Sequence, residues 1–133
     1  MGSRQFALII FALGFLLSCG DSSPSGTETL QVEQNSVRFF QEDPEALMRG
    51  NAIYLGSCAN FCHEYDLPNG NRLNLFDCHR IHGASIEEVS DVIRQGVEGT
   101  RMLGFGDNFP KPHDLKKLVA YLRSQNKSCD SEI

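Results

Sequence analysis

Cys58 and Cys62 stand four residues apart in the stretch Cys58-Ala59-Asn60-Phe61-Cys62-His63, with the histidine directly behind the second thiol. Residues three and four apart are neighbours on one face of a helix. A chain that winds this hexapeptide into a helical turn therefore presents two sulfurs on one face, with an imidazole directly behind the second. Two chemistries use such a set. Covalent haem attachment takes two thiols followed by an iron-ligating histidine, ordinarily spaced C-x-x-C-H, and the spacing here is one residue longer. A disulfide or buried thiol pair beside a surface histidine is the other, and the motif alone does not choose between them.

The compartment comes from the N-terminus. Thiol pairs persist mainly in oxidising spaces such as a bacterial periplasm, and a single positive charge, Arg4, precedes an apolar run over residues 6–17. That run is shorter than the roughly 20 apolar residues a bilayer span requires and has the flanks of a secretory signal. Leu16-Leu17-Ser18-Cys19 resembles the lipobox of bacterial lipoproteins. The resemblance implies that residues 1–18 are removed and that Cys19 carries a diacylglyceryl thioether. Several acyl chains hold firmly, each buried CH2 contributing about 0.8 kcal/mol, so the expected location is the periplasmic side of a bacterial membrane, tethered by lipid. Gly20, where an aspartate would favour inner-membrane retention, favours the outer membrane. N-myristoylation is excluded because Phe6 occupies the position that needs Ser or Thr.

Residues 19–41 read as the lipidated cysteine and a flexible polar tether, too poor in apolar side chains to offset the entropy of ordering. A strand or helix built from Leu30, Val32 and Val37 is the alternative for this stretch. Residues 42–126 form one small domain, near the size at which a protein core alone is marginal, and residues 127–133 are a tail containing Cys129. Without residues 1–18 the chain has 11 basic against 17 acidic side chains, a net charge of −6. Nucleic acid is excluded as a partner, since its binding rests on Lys and Arg neutralising phosphates.

Three helices are legible. Asp43-Pro44 is an N-cap followed by a proline where no amide donor is needed, opening a helix with Leu47, Gly50 and Tyr54 at helical spacing that runs into Cys58. Ser85-Ile86-Glu87-Glu88 is a capping box, followed by Val89, Val92 and Ile93 on one face and stopped by Gly96. The last helix starts near Pro112 and carries Leu115, Leu118, Val119 and Leu122 as a stripe. Loops rich in Gly, Asn and Pro fill residues 64–84 and 97–111, and no period-2 strand pattern appears. The fold class is all-α, three to four short helices.

The second chemical signal is Met102 in the glycine-rich loop Gly99-Thr100-Arg101-Met102-Leu103-Gly104-Phe105-Gly106. A methionine sulfur is a neutral soft ligand suited to haem iron, although a lone loop methionine also serves as packing. Met48, within the first helix, is a poor competitor.

Taken together, residues from about 44 to 124 resemble a class I monohaem c-type cytochrome of the bacterial periplasmic kind. Gly50-x-x-x-Tyr54 is similar to the glycine and aromatic pair with which that family crosses its first and last helices, and Leu118-Val119-Ala120-Tyr121-Leu122 is similar to its last helix. The Met102 loop resembles its sixth-ligand loop, and Asp77-Cys78-x-x-x-His82-Gly83 resembles a segment found in a subset of members. The departure is the attachment motif. The resemblance implies a cytochrome c fold around one covalent haem c, thioethers at Cys58 and Cys62, and axial ligation by His63 and Met102. It implies an electron carrier and not an enzyme, exchanging electrons with dehydrogenases, oxidases or other cytochromes. Cys78 and Cys129 are then left over, either paired as a disulfide or free. His82 is an alternative axial ligand, and Arg72 and Arg101 are candidate partners of haem propionates. Two rival readings stand: an anchored haem subunit of a periplasmic dehydrogenase or oxidase complex, and a copper-binding lipoprotein using Cys58, Cys62 and His63.

Overall fold

A computed structural model describes residues 26–126. The signal segment 1–18, the lipidation candidate Cys19, the first residues of the tether and the tail 127–133 with Cys129 lie outside the described residues. Four α-helices follow in order: α1 (Gly26–Gln41), α2 (Pro44–Tyr54), α3 (Ile86–Gln95) and α4 (Asp114–Ser124), with a π-helical turn (Leu55–Ala59) continuing α2. Among the described residues β structure is limited to one isolated antiparallel bridge between Gly96 and Leu103. The all-α expectation is met.

One expectation is corrected. Residues 26–41, read as part of a flexible tether, form α1, so the folded chain begins by Gly26 and not at residue 42. The cause is tertiary: α1 has few apolar residues, but Val37 is fully buried against the core and Phe40 packs beside it. The Lys117 ammonium stands 5.6 Å above the Phe40 ring, and Glu33 pairs with Arg94 of α3 at 3.7 Å. The helix built from Leu30, Val32 and Val37 is thus the alternative that occurs, with Val37 as its anchor and Leu30 and Val32 exposed.

The signals at the other helix starts operate as read. Asp43 accepts a hydrogen bond from the Glu45 amide at 2.9 Å, and Ser85 with Glu88 closes a reciprocal capping box. α4 begins two residues after Pro112, and His113 precedes it in a left-handed conformation, φ 66°.

The centre of the fold is the crossing of α2 over α4. A Cβ placed on Gly50 would lie 2.2 Å from the Lys117 carbonyl oxygen and 2.6 Å from Tyr121 Cβ; only glycine permits the two backbones to approach this closely. Next to it, fully buried Tyr54 packs on Phe76 and Tyr121 with ring centroids 5.1 and 5.7 Å away. Asp114, also fully buried, fixes the far end of the crossing by accepting from Arg49 Nε at 2.9 Å and from the Lys111 amide at 3.1 Å.

The long loop between the π-helical turn and α3 is held by buried polar side chains in place of a strand ladder. Asn74 donates to the Leu67 carbonyl at 2.9 Å and accepts from the Phe76 amide at 2.8 Å. Asp77 accepts from the amides of Gly70 and His79, and Asn126, beyond α4, reaches back to the Leu75 carbonyl at 2.8 Å. These bonds set the loop in front of the thiol pair.

Candidate functional site

Cys58 lies in the π-helical turn. Its carbonyl accepts from the amides of Cys62 and His63, each at 3.1 Å, and from that of Phe61 at 3.4 Å. Both thiols are free and half-buried, and burial pushes the Cys58 thiol up to about 11. At neutral pH this sulfur is a neutral thiol, not the thiolate that binds metals and attacks disulfides.

His63 is held at two points. Its backbone carbonyl accepts from the Tyr54 hydroxyl, which burial keeps protonated by raising its pKa to about 12. Its ring Nδ1 lies 2.7 Å from the Leu73 carbonyl oxygen. A carbonyl only accepts, so Nδ1 carries the proton and Nε2 is the nitrogen with a free lone pair. A backbone carbonyl on the remote nitrogen is the usual way a ligating imidazole is oriented.

Met102 arrives from the loop after α3. The Val97 amide donates to the Met102 carbonyl at 3.0 Å, the Thr100 hydroxyl donates to the Val97 carbonyl at 2.7 Å and accepts from the Met102 amide at 3.1 Å. The loop then folds onto the end of α3 through the Phe105 and Gly106 amides, which donate to the Ile93 and Arg94 carbonyls. A Cβ on Gly104 would meet the Arg94 carbonyl at 2.4 Å, so this close return depends on glycine.

These pieces enclose one cavity of about 720 Å3, lined by Cys58, Cys62, His63 and Met102 together. Its size falls in the range of roughly 300–1,000 Å3 typical of small-molecule and cofactor sites. Its walls include Val97 and Phe105, and its rim includes Phe61, Leu73, Ile81 and Leu103, which are 76 %, 40 %, 55 % and 79 % exposed. So much apolar surface around a hollow matches a large flat apolar group. The residues present fit a haem: two thiols, an imidazole with Nε2 available, a thioether, and apolar walls.

Arg72, Arg101 and His82 line the same cavity. Met48 does not; it is exposed on α2. His79 is exposed beside Asp77, and His113 sits against Phe40 at the start of α4, away from this cavity. Cys78 is a bonded sulfur and not a free thiol, while its expected partner Cys129 lies outside the described residues. Among the described residues no three His, Cys, Asp or Glu side chains gather as a metal-ion site. No helix among them is long and apolar enough to cross a membrane.

Several residues that position the site escape sequence reasoning. The Leu73 carbonyl is a backbone group with no sequence signature. Tyr65, whose hydroxyl bonds Asn51 at 2.7 Å and Tyr121 at 2.5 Å, joins the loop to both crossing helices. The Arg49–Asp114 pair spans 65 positions of sequence.

The family model described as cytochrome C oxidase, cbb3-type, subunit III matches residues 45–122, from α2 through α4. No curated protein and no solved structure matches the chain. α1 precedes the matched segment.

Proposed function

We propose, from the premise that this chain belongs to the cytochrome c family described as cytochrome C oxidase, cbb3-type, subunit III, and so carries a covalently bound haem c outside the cytoplasm, that it is a single-haem electron carrier with His63 and Met102 as axial ligands. Cys58 and Cys62 supply the thioethers. The observation that carries the reading is the convergence of these four side chains on one cavity, with the His63 ring fixed by Leu73 so that Nε2 is available.

When bound, haem supplies a one-electron couple; the residues set its conditions. His63 offers a neutral nitrogen of fixed orientation. Met102 would offer a neutral sulfur, which paired with histidine raises the potential. Val97 and Phe105 exclude water, and the exposed rim of Phe61, Leu73, Ile81 and Leu103 is the edge at which donors and acceptors meet the protein in the small, short-lived contacts of electron transfer. Held by both His63 and Met102, the haem would exchange electrons and would not turn over a substrate. Arg72 and Arg101 are forked donors for propionates.

Lipid on Cys19 tethers the domain to the periplasmic face of a membrane, the outer membrane by the Gly20 criterion. A disulfide between Cys78 and Cys129 ties the tail to the loop in front of the haem. A second reading, a haem subunit of an oxidase or dehydrogenase complex, is favoured by the family's description as an oxidase subunit.

The test is haem retention after acid-acetone extraction of the full chain made with cytochrome maturation machinery, followed by the ferric charge-transfer band of methionine-ligated haem. Retained haem with that band, and its loss in Met102→Ala, is expected. Extractable haem contradicts covalent attachment. For the second reading, a stable oxidase or dehydrogenase co-purifying from membranes replaces the free carrier.

A further inference from the structure

The Leu73 carbonyl that fixes the His63 ring belongs to an irregular loop, so whatever holds that loop decides how firmly the ring is held. Its own side chains knit it together. Asn71 accepts from the Leu73 amide at 2.9 Å, and Asn74 accepts from the Phe76 amide at 2.8 Å. Buried Asp77 accepts from the Gly70 and His79 amides at 2.6 and 3.0 Å. Residues 70–79 are thus one hydrogen-bonded unit. Phe76 fastens it to the helices by packing on Tyr54, and buried Asn126, just beyond α4, fastens it by donating to the Leu75 carbonyl at 2.8 Å.

Cys78 stands at the edge of this unit, exposed and already disulfide-bonded. Cys58 and Cys62 are free, which leaves Cys19 or Cys129 as its partner. The contact between Asn126 and Leu75 selects Cys129. Cys129 follows Asn126 by three residues, and Cys78 follows Leu75 by three. Three residues span at most about 11 Å, so the two sulfurs lie on short leads from one shared contact. Cys19 is spoken for by lipid in the reading above, its sulfur held in a thioether. A bond from Cys78 to Cys129 therefore clamps the loop to the end of α4 a second time. Exposed disulfides are the labile ones, open to attack by a thiolate.

We infer that the Cys78–Cys129 disulfide is a thiol-sensitive latch on the His63 ligand: closed, it keeps the Leu73 carbonyl against the imidazole, and opened by a dithiol, it slackens the loop and raises the reduction potential. Opening is thiol–disulfide exchange. One thiolate of the dithiol displaces a sulfur of the pair, its second thiol resolves the mixed disulfide, and the dithiol leaves as its own disulfide. Two electrons and two protons pass to Cys78 and Cys129, which become thiols. The direction of the potential follows from the imidazole. A carbonyl accepting from Nδ1 makes Nε2 the stronger donor, which favours ferric iron; a slackened bond favours ferrous. The inference rests on the electron-carrier reading and on the pairing given with it, and adds what that pairing does.

The experiment uses the full haem-loaded chain made with cytochrome maturation machinery. Proteolysis without reductant, followed by mass spectrometry, identifies the partner of Cys78. The haem midpoint is then read by spectroelectrochemistry with the disulfide intact, after opening by dithiothreitol, and after closing again with oxidised dithiothreitol. Opening is expected to raise the ferrous-to-ferric ratio at a fixed potential about threefold, an upward shift of about 28 mV at roughly 59 mV per tenfold for one electron. Closing restores the first value. Cys78→Ser and Cys129→Ser each sit at the opened value and no longer respond to the dithiol, and in both amide hydrogen exchange over residues 70–79 quickens. Val37→Ala, which opens a cavity under α1 away from the loop, lowers the melting temperature and keeps the parental midpoint. A midpoint that opening leaves unchanged or lowers overturns the latch while leaving the carrier reading intact. So does Cys78 joined to Cys19, or a shift in Val37→Ala equal to that of the serine variants. A chain that carries no haem overturns the carrier reading and the latch with it.

Discussion

His63 Nδ1 donates to the carbonyl oxygen of Leu73 at 2.7 Å, across ten residues of loop. The orientation of the imidazole therefore depends on a loop without regular structure. That loop keeps its shape through Asn74, 8 % exposed, which bonds backbone groups on both sides of itself.

Asn74→Ala is expected to remove these bonds and cost about 1–3 kcal/mol, the usual penalty for leaving buried polar groups unpaired. Because Leu73 shifts with the loop, the reduction potential moves as well as the melting temperature. Equal losses of stability elsewhere leave the potential alone. A redox titration beside a thermal melt separates the two, and an unchanged potential contradicts the positioning role.

Gly50→Ala introduces a methyl group 2.2 Å from the Lys117 carbonyl oxygen. Overpacking at a backbone contact costs about 1–3 kcal/mol, so the urea midpoint falls. Gly56→Ala, with nothing within 4 Å, is the control and stays within about 0.5 kcal/mol of the parent.

Acid unfolding follows from two depressed carboxylates. The hydrogen bond from Arg49 holds Asp114 below its ordinary value, and the backbone amides of Ser85 and Ala84 do the same for Glu88. A depressed folded pKa stabilises above the unfolded values, about 3.9 for Asp and 4.3 for Glu. That contribution fades as pH falls through the lower folded values. Urea midpoints are expected to drop as pH is lowered below about 4, and Asp114→Asn flattens the slope while lowering stability at neutral pH. A parent slope unchanged by Asp114→Asn contradicts the assignment.

Local signals read well wherever a short-range rule decides the outcome. The Asp43 cap, the Ser85 and Glu88 box and the stop at Gly96 are each set by side chains within a few residues of the backbone they bond. The cavity-lining set of Cys58, Cys62, His63 and Met102 was legible because spacing and residue type carry the chemistry. α1 was not, since its order comes from Val37 buried in the common core and not from its own composition. The π-helical turn over Leu55–Ala59 was likewise hidden, since it is a backbone hydrogen-bond pattern that no residue type marks. The Leu73 carbonyl, like any backbone group, leaves no trace in residue identity.

The central claim is a covalent haem c ligated by His63 and Met102. Near-infrared magnetic circular dichroism of the ferric full chain tests it most directly, because the ligand pair sets the charge-transfer energy. A histidine and methionine signature that vanishes in Met102→Ala is the expected result. A bis-histidine signature lost instead in His82→Ala would contradict the account, placing the sixth ligand on the other loop that lines the cavity.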